Sequence, residues 1–188
     1  MEDRQLAAKA MQGDTEAFTI LAQRYRRYIY TIAYKITLHE EDARDVTQNV
    51  LLRMARSISR FTGPGNFRAW LSVITVHAAI DHQRSAFHRE QPVEASEIEQ
   101  LLEDRSDARN RNPREVYEAA HRMHSVEKAM QQLSVQQRAI FALRFLEDRS
   151  PKEIAEQLDL SPGQVRTQLY RALNHIRRIL ANQAAEES

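Results

Sequence analysis

Residues 150–180 read SPKEIAEQLDLSPGQVRTQLYRALNHIRRIL, with Ser-Pro at 150 and again at 161. Ser is a favoured helix N-cap, because its hydroxyl accepts a hydrogen bond from an orphan N–H of the first turn. Pro suits the first helical position, where no N–H is needed. Glu153 and Gln164 each stand three residues after a Ser and complete two capping boxes. The first helix therefore runs only from Pro151 to about Leu158. Asp159 and Leu160 turn the chain, and a second helix starts at Pro162 with no breaker after it. A short helix, a tight turn and a longer helix describe a helix-turn-helix.

The second helix has two unlike faces. Val165, Leu169, Ala172, Leu173, Ile176 and Leu180 share one face and should pack against Ile154, Ala155 and Leu158. Gln164, Arg166, Thr167, Gln168, Tyr170, Arg171, Asn174 and Arg178 are left to solvent or the margins. That set is rich in donors. Arg pairs bidentately with guanine and Gln with adenine in the major groove, which admits a helix. Further Arg contacts to phosphate would set the register. DNA binding is favoured over the alternative, a helical hairpin in a protein-interaction domain.

Upstream of this stretch the chain continues to read as helix. It has four Gly and five Pro in 188 residues, and neither interrupts 14–62, 66–91 or 114–150. Long breaker-free stretches at helical period predict an all-α protein. Asp14 is the expected N-cap of a first helix with Phe18, Leu21, Tyr25, Tyr28, Ile29, Ile32 and Ile36 on one stripe. A second stripe is Ala43, Val46, Val50, Met54, Ile58 and Phe61. After the turn FTGPGN (61–66), Asn66 can cap a third helix with Phe67, Trp70, Leu71, Ile74 and Ala78. Residues 88–113 are acidic and polar and predict a flexible linker, with one short helical pattern in EIEQLLED. Val126, Ala129, Met130 and Leu133 then form a stripe. Ser134 and Gln137 make another capping box, ahead of a helix with Ile140, Phe141, Leu143 and Phe145. The expected organisation is two small helical domains, 1–87 and 116–188, joined by an acidic linker at 88–115.

Composition narrows the function. Hydrophobic residues make up 42% and charged residues 28%, as in an ordinary globular protein. No apolar run approaches the roughly 20 residues of a membrane span, so membrane insertion is not expected, and a cytoplasmic location is. The absence of cysteine rules out disulfides and Cys-ligated metal. The net charge of +1 hides an asymmetry. Residues 1–85 hold 12 Lys and Arg against 9 Asp and Glu, residues 86–118 hold 5 against 9, and residues 119–188 hold 10 against 8. Arg166, Arg171, Arg177 and Arg178 lie within 161–180, which has no acid. Such a basic stripe is an electrostatic footprint for nucleic acid.

These features together resemble a known family. LSVQQRAIFALRFLEDRSPKEIAEQLDLSPGQVRTQLYRALNHIRRIL (133–180) resembles the C-terminal domain of bacterial RNA polymerase sigma factors, most nearly the compact extracytoplasmic-function (ECF) subfamily. DTEAFTILAQRYRRYIYTIAYKIT (14–37), EDARDVTQNVLLRMARSISRF (41–61) and NFRAWLSVITVHAAIDHQRS (66–85) resemble the three core helices of the family's other domain. The resemblance implies a sigma factor that binds core RNA polymerase and directs promoter-specific initiation. It places the contact to the clamp of the largest polymerase subunit on Asp45, Gln48, Asn49, Leu52 and Arg53. It places minus-35 duplex reading on Arg166, Thr167, Tyr170 and Arg171, with Gln164 and Gln168 as neighbours. Capture of the melted minus-10 element falls on Thr62, Asn66, Phe67, Arg68, His77 and Arg84. Trp70 is a further stacking candidate that core packing competes for. An anti-sigma factor is a further partner that the resemblance implies, and no cofactor is expected.

The sequence departs from the family at two places. Members often carry IARN where this chain has Ile74-Thr75-Val76-His77, and a Glu where it has Asn49. The first change removes a basic group from the face expected to hold single strand. Among other function classes, an enzyme finds little support. His77 with Asp81, and His121 with His124, have ligand-like spacing, but no third ligand, phosphate loop or activated nucleophile accompanies them. A stand-alone helix-turn-helix regulator is the serious alternative, although such proteins usually dimerise and no dimer helix is apparent. A purely structural helical adaptor would not need the donor-rich face.

Overall fold

The computed structural model describes residues 2–61, 67–87 and 125–186, and every regular element among them is helical. The FTGPGN turn, the acidic linker and EIEQLLED lie outside the described residues, apart from Phe61. Helix α1 spans Asp3–Met11, α2 Thr15–Thr37, α3 Glu40–Ser57 and α4 Phe67–Phe87. A 3-10 turn, Ile58–Arg60, follows α3. Residues 125–131 form α5, and α6 (Val135–Phe145), α7 (Pro151–Leu158) and α8 (Pro162–Glu186) complete the chain.

The capping chemistry sets these boundaries. Asp14 accepts from Ala17 N at 3.0 Å and starts α2. At α6, α7 and α8 the hydroxyls of Ser134, Ser150 and Ser161 accept from N–H groups three residues on. Gln137, Glu153 and Gln164 accept in return from the N–H of each cap, at 3.0, 2.8 and 2.7 Å. Between α7 and α8, Asp159 takes the left-handed conformation at φ 54°. Asp tolerates this better than most residues, because its short side chain bonds locally.

Helices α2, α3 and α4 pack as the stripes predict. Leu21, Tyr25, Ile29, Ile32 and Ile36 of α2 meet Ala43, Val46, Val50 and Met54 of α3 and Phe67, Leu71 and Ala78 of α4 in one buried core. Helix α1 is an addition, since the first helix was expected to begin after Asp14. Its Leu6, Ala7 and Ala10 enter the same core. Asp3 accepts from the Tyr25 hydroxyl at 2.5 Å and pairs with Arg24. The Tyr25 bond, helped by Arg24, holds the Asp3 carboxyl below the usual carboxylate range.

The C-terminal helices do not form an isolated unit. Ala139, Ile140, Ala142 and Leu143 of α6, Ile154 and Ala155 of α7 and Val165 of α8 share the core of α2–α4. A second cluster joins Ala129, Met130 and Leu133 to Ala172 and Ile176, with Leu38 packed against it. Leu38 caps α2 in the left-handed conformation at φ 56°, which carries its side chain toward the C-terminal helices. Two expectations need correction. Phe145 is half exposed rather than core, because α6 ends at that residue. Ala172 and Ile176 pack on α5 rather than α7, because α8 is far longer than the eight-residue α7 beside it.

Candidate nucleic-acid interface

The reading face of α8 is built from its cap outward. Buried Val165 and Ala172 fix the helix rotation, so Arg166, Thr167, Tyr170 and Arg171 are turned to solvent. Tyr170 is 68% exposed and carries its ring free of the core. Two of the expected neighbours have other tasks. The Gln164 amide oxygen closes the capping box on Ser161, and the Gln168 amide oxygen accepts from Gln137 Nε2 at 3.2 Å. Both fix the helix against its surroundings, and the open face is left to the two Arg, the Thr and the Tyr.

On α3, Asp45, Gln48, Asn49 and Leu52 are exposed and Arg53 is half exposed, opposite the buried stripe. Arg53 Nε donates to Asn49 Oδ1 at 2.9 Å and its guanidinium lies 3.5 Å from Asp81 on α4. Leu52 is 54% exposed, a large apolar side chain ringed by polar ones. Beside this face a groove between α2 and α3 is lined by Arg26, Tyr30, Arg44, Asp45, Gln48 and Leu51 among others. Sequence reading missed the α2 side of this groove. The adjacent pair Arg26-Arg27, set between the stripe residues Tyr25 and Tyr28, was the available signal.

The minus-10 candidates are spread around α4. Thr62 and Asn66 lie outside the described residues. Phe67 is 4% exposed and packs edge-on to Tyr25 and Phe61, with Trp70 tilted beside it. It is therefore a core residue here rather than an open stacking platform. Its place on the apolar stripe already favoured that outcome. Trp70 is only partly buried. Arg68 lies 4.6 Å over the Tyr28 ring, and its guanidinium donates to Glu147, beyond the end of α6, at 3.3 Å. Burial, then the contact with Glu147, pushes the Tyr28 hydroxyl above its ordinary pKa. His77 Nε2 lies 2.6 Å from the Gln157 carbonyl oxygen of α7. A carbonyl can only accept, so the proton is on Nε2. Arg84 is exposed at the lip of a crevice shared with Arg53, His77, Asp81, Gln136 and Leu158.

The two halves also meet at the end of α2. Arg138 on α6 is buried and donates to the Ile36 carbonyl at 2.5 Å and the Leu133 carbonyl at 2.8 Å. Burial lowers its pKa from a starting point so high that the guanidinium stays charged. The cation sits at the negative end of the α2 dipole, where it is favoured. Lys35 pairs with Glu127 of α5 at 3.6 Å alongside.

Residues 21–88 match the family described as sigma-70 region 2, and residues 123–176 match sigma-70 region 4. The chain belongs to the extracytoplasmic-function sigma factors. ECF relatives align along most of its length. The ECF sigma factor SigE of Mycolicibacterium smegmatis is 29% identical over 88% of this chain and 62% of its own length. SigX of Bacillus subtilis is 28% identical over 87% of this chain and 83% of its own. The sigma-E factor of Escherichia coli is 26% identical over 92% and 91%. Two solved structures share the fold. The sigma factor RpoE of Bartonella quintana, solved with the anti-sigma factor NepR, has a TM-score of 0.66 at 18% identity, covering 87% of this chain and 96% of that one. CnrH, solved with the cytosolic domain of CnrY, has a TM-score of 0.61 at 23% identity over 96% and 97%. With both sigma regions present in order, the chain is a promoter-directing sigma factor and not a stand-alone regulator. Among the described residues no helix is long and apolar enough to cross a membrane.

Proposed function

We propose that the polar face of α3, with Asp45, Gln48, Asn49, Leu52 and Arg53, docks on the clamp of the largest subunit of core RNA polymerase. Helix α8 then reads minus-35 duplex through Arg166, Thr167, Tyr170 and Arg171, with Gln164 and Gln168 holding its start in place. The minus-10 strand is taken at α4 by Arg68, His77 and Arg84 together with the Thr62–Asn66 loop. Residues 1–87 and 116–188 act as the two domains and 88–115 as the connection between them. The protein works in the cytoplasm, where polymerase is, and an anti-sigma factor is a partner of the same surfaces. It acts by positioning DNA and polymerase rather than by catalysis.

The single observation that carries this reading is one chain with two separate exposed faces. A donor-rich face of α8 and a polar face of α3 with a bare Leu52 are both exposed. A reader alone would need only the first. The test is co-elution of the purified chain with bacterial core RNA polymerase on a sizing column, followed by transcription of genomic fragments. Stable co-elution with new start sites is the expected result. Tight duplex binding without binding to core would overturn it.

A further inference from the structure

The Gln137 side chain on α6 is engaged at both ends. Its Oε1 accepts from the Ser134 N–H at 3.0 Å, and its Nε2 donates to Gln168 Oε1 on α8 at 3.2 Å. The polarity of this chain is forced from one end. A backbone N–H can only donate, so the Gln137 atom beside it is the amide oxygen. The atom left to face α8 is the nitrogen, which also only donates, so Gln168 meets it with its own oxygen. Both glutamines are half-buried, and among the described residues Gln168 makes no other hydrogen bond. Its Nε2, with two N–H donors, is the free end of the amide. Gln168 stands about 40° around α8 from Gln164 and about 60° from Arg171, at the margin of the reading face. Gln164 spends its oxygen in the same manner, on the Ser161 N–H at 2.7 Å.

We infer that Gln137 is a positioning residue for base recognition: by holding the Gln168 oxygen at α6, it presents the Gln168 amide nitrogen to minus-35 duplex as a donor-only reader. The inference rests on the proposed role of α8 and deepens it. A glutamine reads adenine with both amide atoms, the oxygen accepting from N6 and the nitrogen donating to N7. Here the oxygen end is tethered at α6, so the two atoms do not reach one base edge together. Guanine sets two acceptors, O6 and N7, side by side, and thymine offers O4. Adenine places an amino donor beside its acceptor, and cytosine shows only a donor. The base met by Gln168 is therefore guanine before thymine, with adenine and cytosine disfavoured. Residue type alone points to adenine, and the hydrogen-bond chain reverses that choice.

The test binds the full chain to core polymerase and selects duplexes from a random-sequence library. Gln168→Met keeps the stem and removes the amide, so the base pair whose preference it erases is the one Gln168 reads. The parent is expected to prefer guanine there by at least about fivefold over adenine. Gln137→Glu keeps the capping box, since a carboxylate also accepts from the Ser134 N–H, and should keep the melting temperature. It replaces the donor facing Gln168 with an acceptor. The Gln168 amide then turns over about its last torsion, which is soft and roughly two-fold, donates to the carboxylate and shows its oxygen outward. The added negative charge weakens binding to every duplex, and the preference at that one pair should switch to adenine or cytosine, which carry amino donors. Gln137→Met, which frees Gln168 without inverting it, should relax the preference to admit adenine. Adenine or cytosine already preferred by the parent at that pair, or guanine or thymine retained by Gln137→Glu, overturns the inference. So does a Gln168→Met variant whose preferences are unchanged or whose loss is even over all sequences, as for a phosphate contact. Polymerase that does not bind, or a holoenzyme that selects no sequence, defeats the proposed function and the inference with it.

Discussion

Replacing Arg138 by Met keeps the apolar stem and removes the guanidinium. Two carbonyls, Ile36 O and Leu133 O, then lose the donor that reaches them at 2.5 and 2.8 Å. An orphaned buried acceptor costs about 1–3 kcal/mol, so the pair costs roughly 2–6 kcal/mol. Loss of the cation at the α2 terminus adds about 0.3–1 kcal/mol. Against this, Met avoids the several kcal/mol spent on desolvating a buried charge. Part of that cost is already recovered in the existing bonds, and we expect a net loss of about 3 kcal/mol. For a chain of this length, each kcal/mol lowers Tm by about 2–4 °C, so the variant should melt about 6–12 °C lower. Arg138→Lys keeps the charge but not the two-pronged fork, and should recover less than half of the loss. The assay is thermal unfolding followed by circular dichroism at neutral pH. A melting temperature unchanged or raised in Arg138→Met would refute the claim that this residue clasps the two halves.

Other outcomes follow from the faces and caps. Arg171→Ala should weaken minus-35 duplex binding by about 1–3 kcal/mol and lower transcription while co-elution with core polymerase persists; lost co-elution would reverse the role assignment. Leu52→Asp should abolish co-elution with little change in Tm, because the side chain is 54% exposed; retained binding would move the docking site away from α3. Ser161→Ala removes the hydroxyl that accepts from Gln164 N at 3.2 Å and should cost about 1 kcal/mol, read as earlier hydrogen exchange at the start of α8. The Asp3 carboxyl is held below its ordinary value near 3.8. Its stabilising contribution is therefore complete above that pH and disappears as pH falls through the lower folded value. Asp3→Asn should flatten the acid limb of the stability curve, and an unchanged limb would assign it to other carboxylates.

The caps of α6, α7 and α8 were legible because each depends on residues three positions apart, a Ser followed by Glu or Gln, with a Pro after the Ser at α7 and α8. The stripes of α2 and α3 were equally legible, since burial follows helical period. Helix α1 was harder to read. Leu6, Ala7, Ala10 and Met11, two of them alanine, amount to only two turns, too little apolar surface to distinguish a docked helix from a polar leader. Gln164 showed the limit of reading by residue type: an amide suited to adenine is also an amide suited to a cap, and only position decides. The largest omission was the joint between the halves. Arg138 reaches Ile36 across 102 residues and Glu147 reaches Arg68 across 79, and no local pattern in the sequence marks either pairing.

The recognition helix has a further consequence. Its fold rests on Ser161, Gln164, Val165 and Ala172, whereas Arg166, Thr167, Tyr170 and Arg171 contribute almost nothing to the core. Specificity is thus an interchangeable surface on a fixed support. Mutational drift can rewrite the four outward side chains, and with them the set of genes addressed, without a loss of stability that would expose the intermediates to degradation. The same separation makes this helix a scaffold for retargeting by design, with the caps and the two buried residues left untouched.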